Sequence, residues 1–230
     1  KFPKKLNKIF FVCTGSEAND LAYRIAQAYT QSKDVFVIDN AYHGHTNALI
    51  DLSPYKFNGK GGLGKKDYVH ILDMPDPLRG KWKYKDKNWI KKYINEAKDK
   101  IKKQSKFKKI SCLFVESILG CGGQVMLPKN YLKEVFKEIK NNKALCIVDE
   151  VQTGFGRVGS KFWSFQEHDV VPDIVTLGKP MGNGHPIAAV ITTEKIALSF
   201  NNGMEYFNSF GGNPVSCAVG KAVLEVIEKE

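Results

Sequence analysis

At 230 residues and 43% hydrophobic side chains, the chain can bury a full core and reads as one large domain spanning 1–230. Its formal charge of +11 is mostly lysine, gathered between Arg79 and Lys109; apolar residues recur there at helical spacing, so the charge describes a solvated helix face and not a nucleic-acid surface. Five cysteines without a Cys-x-x-Cys pair argue against a disulfide framework and for a reducing compartment, read here as cytoplasmic, and no apolar run is long enough to span a membrane.

The first predicted strand is Ile9-Phe10-Phe11-Val12-Cys13, followed by a helix with apolar positions Ala18, Leu21, Ala22, Ile25, Ala28 and Tyr29. Between them lies Thr14-Gly15-Ser16-Glu17. Free amides at that junction, aided by the helix dipole, make an anion site suited to a phosphate. The same four residues also read as a capping box, Thr14 on Glu17. Val35-Phe36-Val37-Ile38 is the second strand, and Tyr42-His43-Gly44 follows it. An aromatic side chain there can stack on a flat ring, with Gly44 allowing close approach. His43 and His45 have no further ligands at metal spacing, so no metal is expected.

From Ser53 to Asp86 no period is visible, and Gly and Pro are frequent. A stretch of that kind reads as a functional or interface loop. Within it, Gly59-Lys60-Gly61-Gly62-Leu63-Gly64-Lys65 resembles a phosphate-binding loop, but Lys66 occupies the place of the magnesium-binding hydroxyl and no apolar strand leads in. A helix through Trp89, Ile90, Tyr93, Ile94, Ala97 and Ile101 precedes the strand Ile110-Ser111-Cys112-Leu113-Phe114-Val115. Next come a helix through Leu132, Val135, Phe136 and Ile139 and the strand Leu145-Cys146-Ile147-Val148, which ends in Asp149. Gly154-Phe155-Gly156-Arg157-Val158-Gly159 matches a dinucleotide fingerprint, yet Asp149 and Glu150 would repel a pyrophosphate at that turn. Ile174-Val175-Thr176-Leu177 and Ala188-Ala189-Val190-Ile191 are the last short strands. The closing helix, through Val215, Val219, Ala222, Val223, Val226 and Ile227, has no stop signal before Glu230, and the chain opens on Lys1; both ends read as those of a piece of a longer protein.

Near-continuous apolar strands alternating with helices predict an α/β fold, a mostly parallel sheet with helices on both faces. Ligands of such sheets sit beyond the carboxyl ends of the strands, where Gly15, Glu116, Asp149 and Lys179 all fall. Lys179 stands in the Gly-rich turn Gly178-Lys179-Pro180-Met181-Gly182-Asn183-Gly184. A lone amine and a carboxylate at neighbouring strand tips are what pyridoxal 5'-phosphate needs, an amine for its aldehyde and an acid partner for its ring nitrogen. On this reading Val151 packs on the ring and Gln152 reaches the ring hydroxyl. The plainer alternative for Asp149 is a salt bridge to an arginine such as Arg157.

Together these motifs resemble the class III pyridoxal-phosphate-dependent aminotransferases over nearly the whole chain. The resemblance implies a fold type I large domain lacking its small domain. It implies that Gly15 and Ser16 hold the cofactor phosphate, that Tyr42 stacks on the ring, and that His43 and Glu116 belong to the cofactor site. Asp149 then binds the ring nitrogen, Val151 and Gln152 lie against the ring and its hydroxyl, and Lys179 carries the covalent link. Ser209, in Asn208-Ser209-Phe210-Gly211-Gly212-Asn213-Pro214, matches a threonine that reaches the phosphate from the neighbouring subunit, so a homodimer is implied. The form Glu116-Ser117 followed by Cys121-Gly122-Gly123-Gln124 is most similar to the branch with alanine–glyoxylate aminotransferase 2-like proteins. Some members of that branch are phospho-lyases acting on phosphoethanolamine or phosphohydroxylysine. The implied activity is amino-group transfer from a small-molecule amine or amino acid to a keto acid, with phosphate elimination as the alternative.

Overall fold

In the computed structural model, which describes residues 1–229, strand β1 (Lys8–Val12) runs into helix α1 (Gly15–Thr30) and the chain returns as β2 (Asp34–Ile38). Short helices α2 (Asn47–Asp51) and α3 (Pro54–Phe57) precede β3 (Val69–Leu72) and the long α4 (Trp89–Ser105). Strand β4 (Ile110–Glu116) leads through a small hairpin, β5 (Ile118–Leu119) and β6 (Val125–Met126), to α5 (Tyr131–Asn141). The remainder holds β7 (Leu145–Asp149), β8 (Ile174–Leu177), β9 (Ala188–Thr192), α6 (Glu194–Phe200) and α7 (Pro214–Lys229). Glu230, last residue of the expected 1–230 domain, lies outside the described residues.

The seven long strands form one sheet in the order β1-β9-β8-β7-β4-β2-β3. Strands β8, β7, β4, β2 and β3 are mutually parallel, and β9 runs against both of its neighbours, β1 and β8. The sheet is mostly parallel, as expected. The reversed β9 has no mark in its sequence, because a strand buried on both faces is apolar in either direction.

Alternate residues of each strand serve opposite faces. Along β4, Cys112 and Phe114 join the cluster under α1 and α6, while Leu113 and Val115 join the one under α4 and α5. Helix α1 starts where it does because Thr14 is extended and its hydroxyl accepts from the Glu17 amide. It stops at Gln31, whose backbone is left-handed at φ 54°. Its inward face (Ala18, Leu21, Ala22, Ile25, Ala26) is buried; truncating a fully buried residue such as Ile25 to Ala would cost about 2–5 kcal/mol.

One reading needs correcting. The stretch from Ser53 to Asp86 is not structureless, since it holds α3 and the edge strand β3, parallel to β2. Four residues broken by His70 are too few to stand out as a run, and an edge position leaves His70 and Ile71 only half-buried. Helices α2 and α6, each capped by a threonine (Thr46 and Thr193), also lacked a visible period because they are short. The closing helix α7 forms, but only Ser216 and Gly220 are buried, so its apolar face is left largely open.

Candidate active site

The carboxyl ends of β1, β4, β7 and β8 meet at one edge of the sheet. Pairing of β7 with β8 sets Asp149 opposite Thr176, three residues before Lys179, and pairing with β4 sets it opposite Glu116. Beyond the strand ends, Gly15, Val151 and Gly178 pack so closely that side chains have no room. A Cβ on Gly15 would lie 2.6 Å from Val151 Cγ1, and one on Gly178 would lie 3.3 Å from Gly15 Cα. The turns after β1, β7 and β8 are thereby locked into one floor. Lys179, next to Gly178, is exposed and donates from Nζ to Gln152 Oε1 at 3.0 Å.

The capping-box reading of the Thr14–Glu17 junction holds. Glu17 folds back onto the Cys13 and Thr14 amides, at 2.6 and 3.3 Å, and Thr14 takes the Glu17 amide. That capping box leaves the Gly15 and Ser16 amides, which have no intrahelical acceptor, at the positive end of a 16-residue helix. Ser16 Oγ accepts from the His45 amide at 3.3 Å, which draws the Tyr42-His43-Gly44 loop against the helix start.

Asp149 is nearly buried, at 5% exposure, and its partner is not Arg157. Oδ2 accepts from Asn19 Nδ2 at 2.7 Å and pairs with His43 Nδ1 at 3.0 Å; Oδ1 accepts from the Val151 amide at 3.0 Å. His43 is buried, with its ring centroid 4.5 Å from that of Phe114. Glu116 accepts from the Tyr42 amide at 3.2 Å and the Gly120 amide at 3.4 Å. Burial pushes its carboxyl up to about 7; nearby His43 opposes that rise and Asp149 adds to it. Tyr42 is half-buried, its ring edge-on to Tyr55 and 5.5 Å from the Lys56 amine.

Glu150, beside Asp149, has a separate task. It is wholly buried and accepts from Thr153, from the Ser164 amide and hydroxyl and from the Phe165 amide, tying down the loop after β7. Burial raises its carboxyl above the usual range. This loop closes into a 3-10 turn at Ser164–His168, so the Gly154–Gly159 glycines do not open an α-helix as a dinucleotide site requires. The Gly59–Lys65 glycines likewise lie in an exposed turn with no helix after them. Ser209 is not drawn to the cluster; it stands exposed on the loop ahead of α7.

Sequence reasoning missed Asn19 and the β5–β6 hairpin. Asn19 had a signal: it is a poor helix former beside the buried stripe of α1, where solubility gives no reason for an amide. The hairpin had none, with strands of two residues each. It brings Gly120 over Gln152, where an added Cβ would lie 3.2 Å from Nε2, and it carries Cys121, whose thiol feels Glu116, Lys179 and Lys56.

The chemistry of this donor set fits pyridoxal phosphate. An ionised carboxylate offers about four acceptor positions, and three on Asp149 are taken, which leaves one on Oδ1 for a protonated ring nitrogen. The two free amides suit a phosphate, and Lys179 is an accessible amine beside them.

A family model described as Aminotransferase class-III matches residues 1–230. An alanine–glyoxylate aminotransferase 2-like protein of Drosophila melanogaster is 47% identical over 100% of this chain and 48% of its own length. An ethanolamine-phosphate phospho-lyase homolog of Caenorhabditis elegans is 43% identical over 98% of this chain and 51% of its own. Among solved structures, a phospholyase from Arthrobacter in complex with phosphoethanolamine is 35% identical with a TM-score of 0.89, covering 100% of this chain and 54% of that one. The chain thus spans about half the length of the relatives it matches.

Proposed function

The chain belongs to the class-III aminotransferase family, and from that membership we propose that it binds pyridoxal 5'-phosphate and transfers an amino group between a small-molecule amine or amino acid and a keto acid. The observation that carries this reading is the close-packed floor of Gly15, Val151 and Gly178, which joins the turn bearing the Lys179 amine to the turn after the clamped Asp149 carboxylate. When bound, the cofactor supplies an electron sink for the C–H bond beside the substrate nitrogen. Lys179 would hold the cofactor through its aldehyde, and its amine, when free, would serve as the base for that C–H proton. Asp149 would keep a proton on the ring nitrogen. The Gly15 and Ser16 amides would hold the phosphate, Tyr42 and Val151 would enclose the ring, and Gln152 would serve the ring hydroxyl. His43 holds Asp149 from behind, and Glu116 holds the Tyr42 backbone.

Ser209 completes the phosphate site from a second copy of the chain. The large apolar residues around it support that reading, with Phe207 77% and Phe210 71% exposed on a surface that a partner would cover. A homodimer is the expected assembly; a fully active monomer on a sizing column refutes it. Residues 1–230 are read as the cofactor-binding large domain of a longer cytoplasmic protein. The half-length matches and five unpaired thiols support this, and no described helix is long and apolar enough to cross a membrane. The full-length gene and cell fractionation check both points.

Phosphate elimination is the second reading, favoured by the likeness to a phospholyase bound to phosphoethanolamine. The complete protein incubated with phosphoethanolamine decides between the two. Amino transfer predicts consumption only when a keto acid is added, with no phosphate released. Phosphate release without a keto acid overturns that in favour of elimination.

A further inference from the structure

We infer that Asn19 is a positioning residue for the cofactor's ring nitrogen: it clamps the Asp149 carboxylate so that Oδ1 alone stays open toward the ring. The inference rests on the cofactor reading above. Both hydrogens of the Asn19 amide are committed, one to His43 O and one to Asp149 Oδ2, each at 2.7 Å. The amide can point only this way, since a flipped Asn19 would set its own oxygen against the carboxylate.

Two costs mark Asn19 as more than packing. It sits in the second turn of a helix whose neighbours are Ala18, Leu21 and Ala22, where Ala or Leu would favour the helix more. Its Oδ1 is also buried without a hydrogen-bond partner among the described residues, an expensive state for a carbonyl. A residue only 2% exposed that leaves half its amide unsatisfied is held there by what the other half does.

The Asp149 carboxylate shows what that is. The terminal torsion of an aspartate is soft and roughly two-fold, so a carboxylate held at one oxygen by one donor can swing. Asn19 and His43 together fill both acceptor positions of Oδ2, and the Val151 amide takes one of Oδ1. The single remaining position is then fixed in direction. Asn19 also grips the His43 backbone, so one amide sets the carboxylate and the loop that supplies its second donor. Without it, Oδ2 regains an empty lone pair and the ring nitrogen meets a carboxylate of undefined orientation.

The test uses binding alone, on full-length protein stripped of cofactor. The probes are pyridoxine 5'-phosphate, which has no aldehyde and cannot react with Lys179, and its analogue with CH in place of the ring nitrogen. The unmodified protein should prefer the nitrogen-containing ring in calorimetry. Asn19→Ala should reduce that preference about tenfold, the scale of one hydrogen bond to a charged group, with little change in affinity for the CH analogue. Asn19→Leu, near Asn in size and a better helix former, carries the same expectation if the Ala variant does not fold. Equal weakening toward both probes, or an unchanged preference, would mean that Asn19 only supports the fold and overturns the inference. No preference in the unmodified protein would remove the cofactor reading, and this inference with it.

Discussion

Replacing Lys179 with Ala should abolish the borohydride-reducible adduct between protein and cofactor and lower turnover about 10³-fold or more, while leaving the melting temperature nearly unchanged. The two halves of this expectation come from separate observations. Lys179 is exposed, and its one hydrogen bond, to Gln152, lies in an exposed setting. Substitutions of that kind fall within about 0.5 kcal/mol of neutral. Lys179 nevertheless stands two residues beyond the end of β8 and next to Gly178 of the floor, and among the described residues no other lysine amine is hydrogen-bonded to the candidate residues. Mass spectrometry of the reduced protein reads the adduct directly. An adduct that persists in the variant would put the link on another lysine, with Lys56 the first to examine because it lies near Tyr42.

Asp149→Ala should behave differently, losing both turnover and stability. Three donors converge on the carboxylate, from Asn19, His43 and the Val151 amide. Truncation leaves them buried without an acceptor. Each orphaned donor costs about 1–3 kcal/mol, part of which is returned because a charge no longer has to be buried. A net loss of about 3 kcal/mol lowers the melting temperature by roughly 6–12 °C for a domain of this size. The cofactor adduct at Lys179 should still form, since the aldehyde end is untouched. Turnover should fall about 10²–10³-fold, equivalent to roughly 3–4 kcal/mol of transition-state stabilisation at 1.36 kcal/mol per decade. Asp149→Asn keeps the volume and separates the two effects, restoring most of the stability but not the rate. Near-normal turnover in either variant would remove Asp149 from its role at the ring nitrogen.

The fold was legible where elements are long and buried. The pattern Ala18, Leu21, Ala22, Ile25 marked α1, and Leu145-Cys146-Ile147-Val148 marked β7, because the 3.6-residue helix period and the apolar central strand are written locally. It was not legible where a few residues decide an element. Strand β3 is four residues with a histidine among them, and β5 and β6 are two residues each. The glycine fingerprint at Gly154–Gly159 and the loop at Gly59–Lys65 were already discounted by their neighbours, Asp149 and Glu150 in one case and Lys66 in the other.

For the site, the chain by itself marked the candidate side chains: an amine at Lys179, a carboxylate at a strand tip, and glycines where backbones must touch. Those follow from residue type and from the rule that parallel strands end on one side. Only the tertiary structure decided the company that Asp149 keeps. Asn19 lies 130 residues from it and His43 lies 106, and the reversed β9 likewise takes its direction from neighbours far along the chain. Periodicity reports how a segment meets the core, whereas the choice of hydrogen-bond partner is made by the packing of distant segments, which no local pattern records.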